Sequence, residues 1–341
     1  MNIRSFSILF MTVFLTLLLT ACGKDKAGDK RHFIIDTDAG ADDACAIIYA
    51  AKDKDIVIEG VTVLAGNVDL DQAADNALMA LEIAGSDAKV YKGASERYNG
   101  DRINAFSVFG SDGMGDVNLI HPSGTAEYGD AVDFILNTVK NNPGEIEIMA
   151  IGPATNIARA IEKDPLTMKK VKMIWSMGST GLGPGNATPV AEFNVYSDTD
   201  AYKIMLDSGI NITIAGLDMC GGDAMWSDKD FDKLGNMNDT GSFITASFGK
   251  IREFYRNNGS ESVMNCDPLL ALCALKDGFM KESIPCHGSC INIPGENYGE
   301  VIFYQKGFTY DVVTNDYVYN VSLVSDVDKD KYFSEFCRAI K

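Results

Sequence analysis

The chain has 341 residues, 46% hydrophobic and 9% aromatic, with 30 Lys plus Arg against 48 Asp plus Glu and a formal net charge of −18. That length and apolar content exclude a disordered or collagen-like chain, and they suffice to bury the core of one large α/β domain or two small ones. So acidic a surface repels phosphate backbones, and no local basic stripe offsets it, which argues against nucleic acid as a partner.

The N-terminus carries Arg4, an apolar run over residues 6–19, and then Leu19-Thr20-Ala21-Cys22-Gly23. A short apolar run ending in small residues describes an export signal rather than a spanning helix. The Leu-Thr-Ala-Cys tetrad resembles the lipobox of bacterial lipoproteins. That resemblance implies a signal peptide over residues 1–21 and a lipid on Cys22, with a polar tether reaching residue 31. It also implies an exported protein anchored to a membrane, on its periplasmic face or at the cell surface, through the lipid alone. An ordinary signal with a chance cysteine is the alternative.

From His32 onwards strands alternate with helices. Residues 33–35 predict a strand and 44–52 a helix. Residues 56–64 predict a second strand, and 71–84 a second helix, with Ala73, Ala77, Ala80, Leu81 and Ala84 at helical spacing. Residues 146–151 predict a strand feeding a helix that begins near Thr155; 171–177 and 210–215 are strand-like again. Towards the C-terminus, 284–293, 300–304 and 317–322 suggest extra β structure, and a closing helix starts near Lys329. The expectation is an α/β fold over residues 32–341: a single open, mainly parallel sheet covered by helices on both faces. In such sheets the site lies outside the carboxyl ends of the strands.

Seven further cysteines, at 45, 220, 266, 273, 286, 290 and 337, are scattered rather than dense. Cys286 and Cys290 bracket a short loop and could form a disulfide. A zinc site there would need more ligands, and the only histidines besides His287 are His32 and His121.

The segment Asp36-Thr37-Asp38-Ala39-Gly40-Ala41-Asp42-Asp43 places four carboxylates in eight residues. A helix N-terminus explains one or two of them. The others would repel strongly unless a cation neutralised them or some kept protons. Hard oxygen ligands point to Ca²⁺ or Mg²⁺, and the spacing is not that of an EF-hand. A haloacid-dehalogenase-type phosphatase also begins with Asp-x-Asp, but the continuation Ala-Gly-Ala-Asp-Asp fits it poorly.

The segment 36–44, Asp-x-Asp-x-Gly-x-Asp-Asp-Ala, resembles the signature of the nucleoside hydrolase family. Further matches follow in the family's order: Ala65-Gly66-Asn67, Ile151-Gly152-Pro153-Ala154-Thr155-Asn156, Met177-Gly178-Ser179, Asn186, Ala191-Glu192-Phe193-Asn194 and Asp267-Pro268. The resemblance covers essentially all of residues 33–340. It implies Ca²⁺ held by Asp38, Asp43, Asp267 and the carbonyl of Ile151, and ribose hydroxyls bound by Asp42 and Asn67 with help from Asp267. It implies that Asn186, Glu192 and Asn194 grip the 5′-hydroxyl, and that the protein forms a homodimer or homotetramer. Asp267-Pro268 also reads as a helix N-cap with Pro at N1.

The chemistry implied is hydrolysis of the N-glycosidic bond of a ribonucleoside to free base and ribose. Calcium would lower the pKa of a bound water, and Asp38 would take its proton as general base, with inversion at the anomeric carbon. This chain departs from the family at the leaving group. A His usually precedes Asp-Pro, where Cys266 stands here, as in a Cys-for-His subgroup; Phe109 replaces a second His. An aromatic there is similar to purine-preferring members, which stack rings on the base; Trp226, Phe106 and Tyr255 are further stacking candidates. Missing both histidines, the same scaffold could instead be a lipid-anchored nucleoside- or ribosyl-binding protein with little turnover.

Overall fold

The computed structural model describes residues 30–307 and 317–341; Cys22, the signal segment and the tether up to residue 29 lie outside the described residues. Strands β1 (Arg31–Thr37), β2 (Ile56–Val63), β3 (Val90–Lys92), β4 (Ile146–Ala150), β5 (Met173–Met177) and β6 (Ile212–Ala215) form the first part of the chain. Between them run α1 (Ala41–Lys52), α2 (Leu70–Ala84), α3 (Phe106–Phe109), α4 (Ala131–Asn141), α5 (Thr155–Lys163), α6 (Pro165–Met168), α7 (Phe193–Ser197) and α8 (Thr199–Asp207). The short strands β7 (Trp226–Ser227) and β8 (Ser262–Val263) then bracket α9 (Asp228–Gly235), α10 (Asp239–Ser247) and α11 (Gly249–Asn257). The rest of the chain is α12 (Cys266–Leu275), β9 (Met280–Cys290), β10 (Val301–Gln305), β11 (Val321–Val327) and α13 (Lys329–Ala339).

Nine strands make one sheet in the order β10-β9-β11-β6-β5-β4-β1-β2-β3. Every pair from β11 across to β3 is parallel, whereas β9 runs antiparallel to both β11 and β10. Alternate side chains of a strand face opposite ways, and β1 uses both faces. Phe33 and Ile35 join a core with Ile47 of α1, Ala77 of α2 and Leu269 of α12, while Ile34 joins one with Ile135 of α4 and Ile157 of α5. Helices therefore cover both faces, and the mainly parallel α/β sheet with antiparallel strands near the C-terminus stands as expected.

The chain steps from β1 to β2 and β3 on one side and places β4, β5 and β6 on the other. Connections leaving β1 and β4 thus diverge, which opens a crevice at the carboxyl ends of these two strands. Asp38 and Ile151 sit at those two ends.

Three local expectations are corrected. The last strand begins at Val321 rather than at 317, because residues 317–320 are held otherwise: Tyr317 stacks on Tyr304 and His287, and Asn320 Nδ2 donates to the Ile210 carbonyl. The helix carrying Asp267 begins at Cys266 with Asn265 as its N-cap, so Asp267 lies in the first turn and is not the cap. Pro268 still loses no helical bond, since first-turn N–H groups have no intrahelical acceptor. Cys286 and Cys290 are free thiols. They lie on the extended strand β9, four residues and about 13 Å apart, beyond the reach of a disulfide.

Candidate active site

A cavity of about 170 Å³ lies at this crevice, its acidic end lined by Asp42, Asn67, Ile151, Glu192, Asn194 and Asp267. The acids arrive from two sources. Asp36 and Asp38 come off the end of β1, while Asp42 and Asp43 occupy the first turn of α1, where the helix dipole favours negative charge. Asp43 also caps that helix by accepting the Gly40 N–H at 2.8 Å, and it accepts the Thr37 hydroxyl at 2.5 Å. Asp267 comes from α12, which packs on α1.

Asp38 is fully buried, and its Oδ2 accepts the Asn67 N–H at 2.6 Å. Glycines make room for it. A Cβ on Gly66 would fall 2.2 Å from Asp38 Oδ2, and one on Gly152 would fall 2.9 Å from Oδ1. Asp38 Oδ1 and Asp42 Oδ1 are buried without a hydrogen-bond partner among the described residues. Oxygens of Asp42, Asp43 and Asp267 lie within 4.8 Å of one another, a spacing that could hold a metal ion. Asp38 falls outside that tight trio but adjoins it through Asn67, whose Nδ2 donates to Asp43 Oδ2 at 3.2 Å.

Burial raises Asp36 and Asp38 to about 7 and Asp42 to about 6, and pushes Asp43 and Asp267 well above the usual carboxylate range. Burial is the largest cause for each; neighbouring carboxylates add to it at Asp38, Asp43 and Asp267. Carboxylates so placed keep protons unless a cation replaces the lost water. An all-oxygen donor set with unpaired buried oxygens fits a hard divalent cation and does not fit a thiolate metal.

The expected 5′-hydroxyl group is one connected unit. Glu192 caps α7 by accepting the N–H groups of Asn194 at 2.9 Å and Val195 at 3.2 Å, and burial pushes its carboxyl up to about 7. Asn194 Nδ2 donates to the carbonyls of Ile151 and Met177, and Asn186 Oδ1 accepts the Phe193 N–H at 2.9 Å. The Ile151 carbonyl thus accepts the Asn194 amide at the cavity wall.

Much of the remaining lining is apolar, with Phe109, Phe254, Tyr255, Met264 and Cys266. The Phe109 ring approaches Gly40 so closely that a Cβ there would sit 3.1 Å from it, which puts the ring over the start of α1. Two aromatics expected here are elsewhere. Trp226 is 1% exposed and packs among Phe231, Phe248, Tyr332, Phe333 and Phe336, so it belongs to the core and does not touch the cavity. Phe106 is more than a third exposed and lies outside the lining.

Two features escaped the sequence reading. Leu217, two residues beyond β6, lines the cavity and was accessible from the strand-end rule; Met264 and Phe254 carried no signal. Asp36 does not line the cavity. Its Oδ1 accepts Thr62 Oγ1 at 2.6 Å and Asn156 Nδ2 at 2.9 Å, and Asn156 Oδ1 accepts the Ala94 N–H. It ties the ends of the central strands together beneath Asp38.

The family profile described as inosine-uridine preferring nucleoside hydrolase matches residues 33–334. Uridine nucleosidase 1 of Arabidopsis thaliana is 38% identical over 236 residues, covering 68% of this chain and 69% of that protein. Other curated relatives are spanned over as little as 61% of their own length. Among solved structures, the plant nucleoside hydrolase PpNRh1 superposes with a TM-score of 0.85 at 29% identity, covering 92% of this chain and 99% of that one. A purine-preferring ribonucleoside hydrolase from Gardnerella vaginalis gives 0.82 at 28% identity, with 91% and 98% covered. Sheet order, acid cluster and profile agree: the chain belongs to the inosine-uridine preferring nucleoside hydrolase family.

Proposed function

We propose that this protein is a Ca²⁺-dependent nucleoside hydrolase that cleaves the N-glycosidic bond of ribonucleosides to free base and ribose. The observation that carries the reading is a cavity lined by Asp42 and Asp267, with buried Asp38 and Asp43 beside them and unpaired oxygens on Asp38 and Asp42, whose remaining lining is largely apolar and aromatic. A polar end suits a sugar and an apolar end suits a base.

Asp42, Asp43 and Asp267, whose oxygens lie within 4.8 Å of one another, would hold the calcium, with Asp38 and the Ile151 carbonyl completing the set that the family resemblance implies. When bound, the ion supplies charge that acidifies water and sugar hydroxyls. Asp38 then serves as the base for the attacking water, its carboxylate held by the Asn67 N–H. Asp42 and Asn67 hold the ribose hydroxyls nearest the acids, while Asn186, Glu192 and Asn194 hold its far end. Phe109 and Tyr255 form the wall against the base. Tyr255 also offers a proton donor where the family's histidines are missing. Burial, with Cys266 beside it, keeps the hydroxyl protonated.

Export and anchoring through Cys22, and assembly into a homodimer or homotetramer, belong to the same reading and rest on sequence resemblance. Among the described residues no helix is long and apolar enough to cross a membrane.

The test is a panel of purine and pyrimidine nucleosides, with calcium and after chelation, following free ribose. Ribose released only with calcium, and lost in Asp38→Ala at saturating metal, supports the hydrolase. Ribose 1-phosphate formed only with phosphate would mean a phosphorylase, and tight nucleoside binding without turnover would mean the binding protein. Cys22→Ser should move the protein from the membrane to the soluble fraction; retention there overturns the anchor.

A further inference from the structure

Asn186, the expected grip on the 5′-hydroxyl, is an exposed side chain on a loop, so the packing around it does not hold it in place. Its Oδ1 accepts the Phe193 N–H at 2.9 Å, and its own N–H donates to the Ala191 carbonyl at 3.2 Å, which pins the loop on the downstream side. The upstream side is held by a residue that no motif marked. Asp218, in the short turn Leu217–Cys220 after β6, accepts the Leu182 N–H on its Oδ2 at 2.9 Å, across 36 residues of sequence. The Asp218 N–H donates to the Thr180 carbonyl at 3.4 Å, and the Leu217 N–H to the Ser179 carbonyl at 3.0 Å. Glycines leave the space that this side chain fills. A Cβ on Gly181 would fall 1.9 Å from Asp218 Oδ1, one on Gly216 would fall 2.8 Å from the same oxygen, and one on Gly183 would fall 2.9 Å from Asp218 Cβ. Asp218 and Asn186 line one outer cavity beside the active one, and Leu217 and Tyr255 are common to both.

We propose that Asp218 is a positioning residue for the 5′ end of the substrate: its carboxylate clasps the loop at Leu182 and so fixes where Asn186 meets the sugar. The inference rests on the reading of Asn186 as a ligand of the 5′-hydroxyl. Asp218 does not itself line the active cavity, so its effect passes through the loop. Only Gly183, Pro184 and Gly185 separate Leu182 from Asn186, and Pro184 has a fixed φ that takes up slack. Gly181, Gly183 and Gly185 would otherwise leave the segment with a wide choice of backbone conformations, and that freedom would have to be lost each time a sugar bound. Holding Leu182 in advance removes much of this cost. The carboxylate acts here as an acceptor with a fixed position, reached from the neighbouring strand exit rather than from within the loop.

The test compares the best nucleoside of the panel with its 5′-deoxy counterpart, which lacks the hydroxyl that Asn186 would hold. Asp218→Ala should lower kcat/KM about tenfold on the nucleoside, the net worth of one hydrogen bond, and less than about twofold on the 5′-deoxy compound. Asp218→Asn keeps an oxygen for the Leu182 N–H and should recover most of the loss. Gly181→Ala drives a methyl into Asp218 Oδ1 and should reproduce the Asp218→Ala pattern. Asn186→Ala should show the same dependence on the 5′-hydroxyl, and the double variant with Asp218→Ala should cost no more than either alone. Amide hydrogen exchange in Asp218→Ala should quicken in peptides covering residues 180–187 and stay unchanged in α1. An equal loss on both compounds, no loss on either, or unchanged exchange in that loop would each overturn the proposal. If the parent cleaves no nucleoside, the hydrolase reading fails by itself, and the same comparison made on binding affinity decides the role of Asp218. A parent that binds neither compound overturns the positioning role as well.

Discussion

Asn194 donates its side-chain amide to two backbone carbonyls at once, Ile151 at 3.1 Å and Met177 at 3.3 Å. One residue of a five-residue helix thereby fixes the exits of β4 and β5 relative to each other. A carbonyl has two lone pairs, so the Ile151 oxygen can accept this bond and still face a cation.

Asn194→Leu keeps the branched outline and removes both donors. Leaving two buried carbonyls unpaired should cost about 1–3 kcal/mol of stability, read by urea denaturation. The same variant should bind calcium more weakly, because the Ile151 carbonyl loses its brace. An unchanged calcium titration would show that Ile151 is positioned by the strand alone.

Gly66→Ala tests the room around Asp38. The added methyl would lie 2.2 Å from Asp38 Oδ2, the oxygen that receives the Asn67 N–H, so the carboxylate must move. Displacement of a catalytic group by an ångström can cost about a hundredfold in rate, and a loss of that order is expected with an unchanged far-UV spectrum. Gly249→Ala is the control, since nothing lies within 4 Å of its Cβ position.

At the leaving group, a thiol is a weak donor, and here the neighbouring Cys220 thiol and burial hold Cys266 protonated. Cys266→Ala should therefore lower turnover roughly tenfold or less, short of the general-acid range. Phe109→Ala should cost more, by removing the ring over the base end, and Tyr255→Phe should cost on the order of a hundredfold if the phenol protonates the base. A thousandfold loss in Cys266→Ala at unchanged calcium affinity would make the thiol the acid.

Asp42, Asn67, Glu192 and Asn194, which line the polar part of the cavity, were singled out in the chain through their match to the family's motifs, which fall in short segments mostly at strand exits. The base end was not, because aromatic residues serve cores and walls alike. Trp226 could be placed only by knowing that Phe231, Phe248 and Phe336 surround it. Met264 and Leu217 are apolar residues whose exposure to the cavity depends on how α11 and α12 close over the sheet. The start of β11 was misjudged for a related reason, since Tyr317 and Tyr319 have strand-like composition but take part in ring contacts, Tyr317 stacked on Tyr304 and the two edge-to-face with each other.

Away from the site, Glu147 of β4 carries a pH dependence of known sign. Burial pushes its carboxyl up, but Arg31, Trp175 and Lys172 donate to it and leave it below its usual value of 4.5. A depressed folded-state pKa gives stability that is present above the unfolded value and lost as pH falls through the folded one. Thermal melts should show Glu147→Gln less stable than the parent at neutral pH, by about 1–3 kcal/mol, with the gap narrowing below pH 4.5. A gap independent of pH would assign the effect to packing.

The two ends of the cavity are built from different parts of the fold. Strand exits and the first turn of α1 supply much of the cavity's polar lining; α3, α11 and the segment before α12 supply much of its apolar lining. Substitutions in those outer helices can reshape what the cavity accepts without disturbing Asp38 or the sheet beneath it. Such a division would let the apolar lining vary while the acid cluster and the sheet beneath it stay fixed.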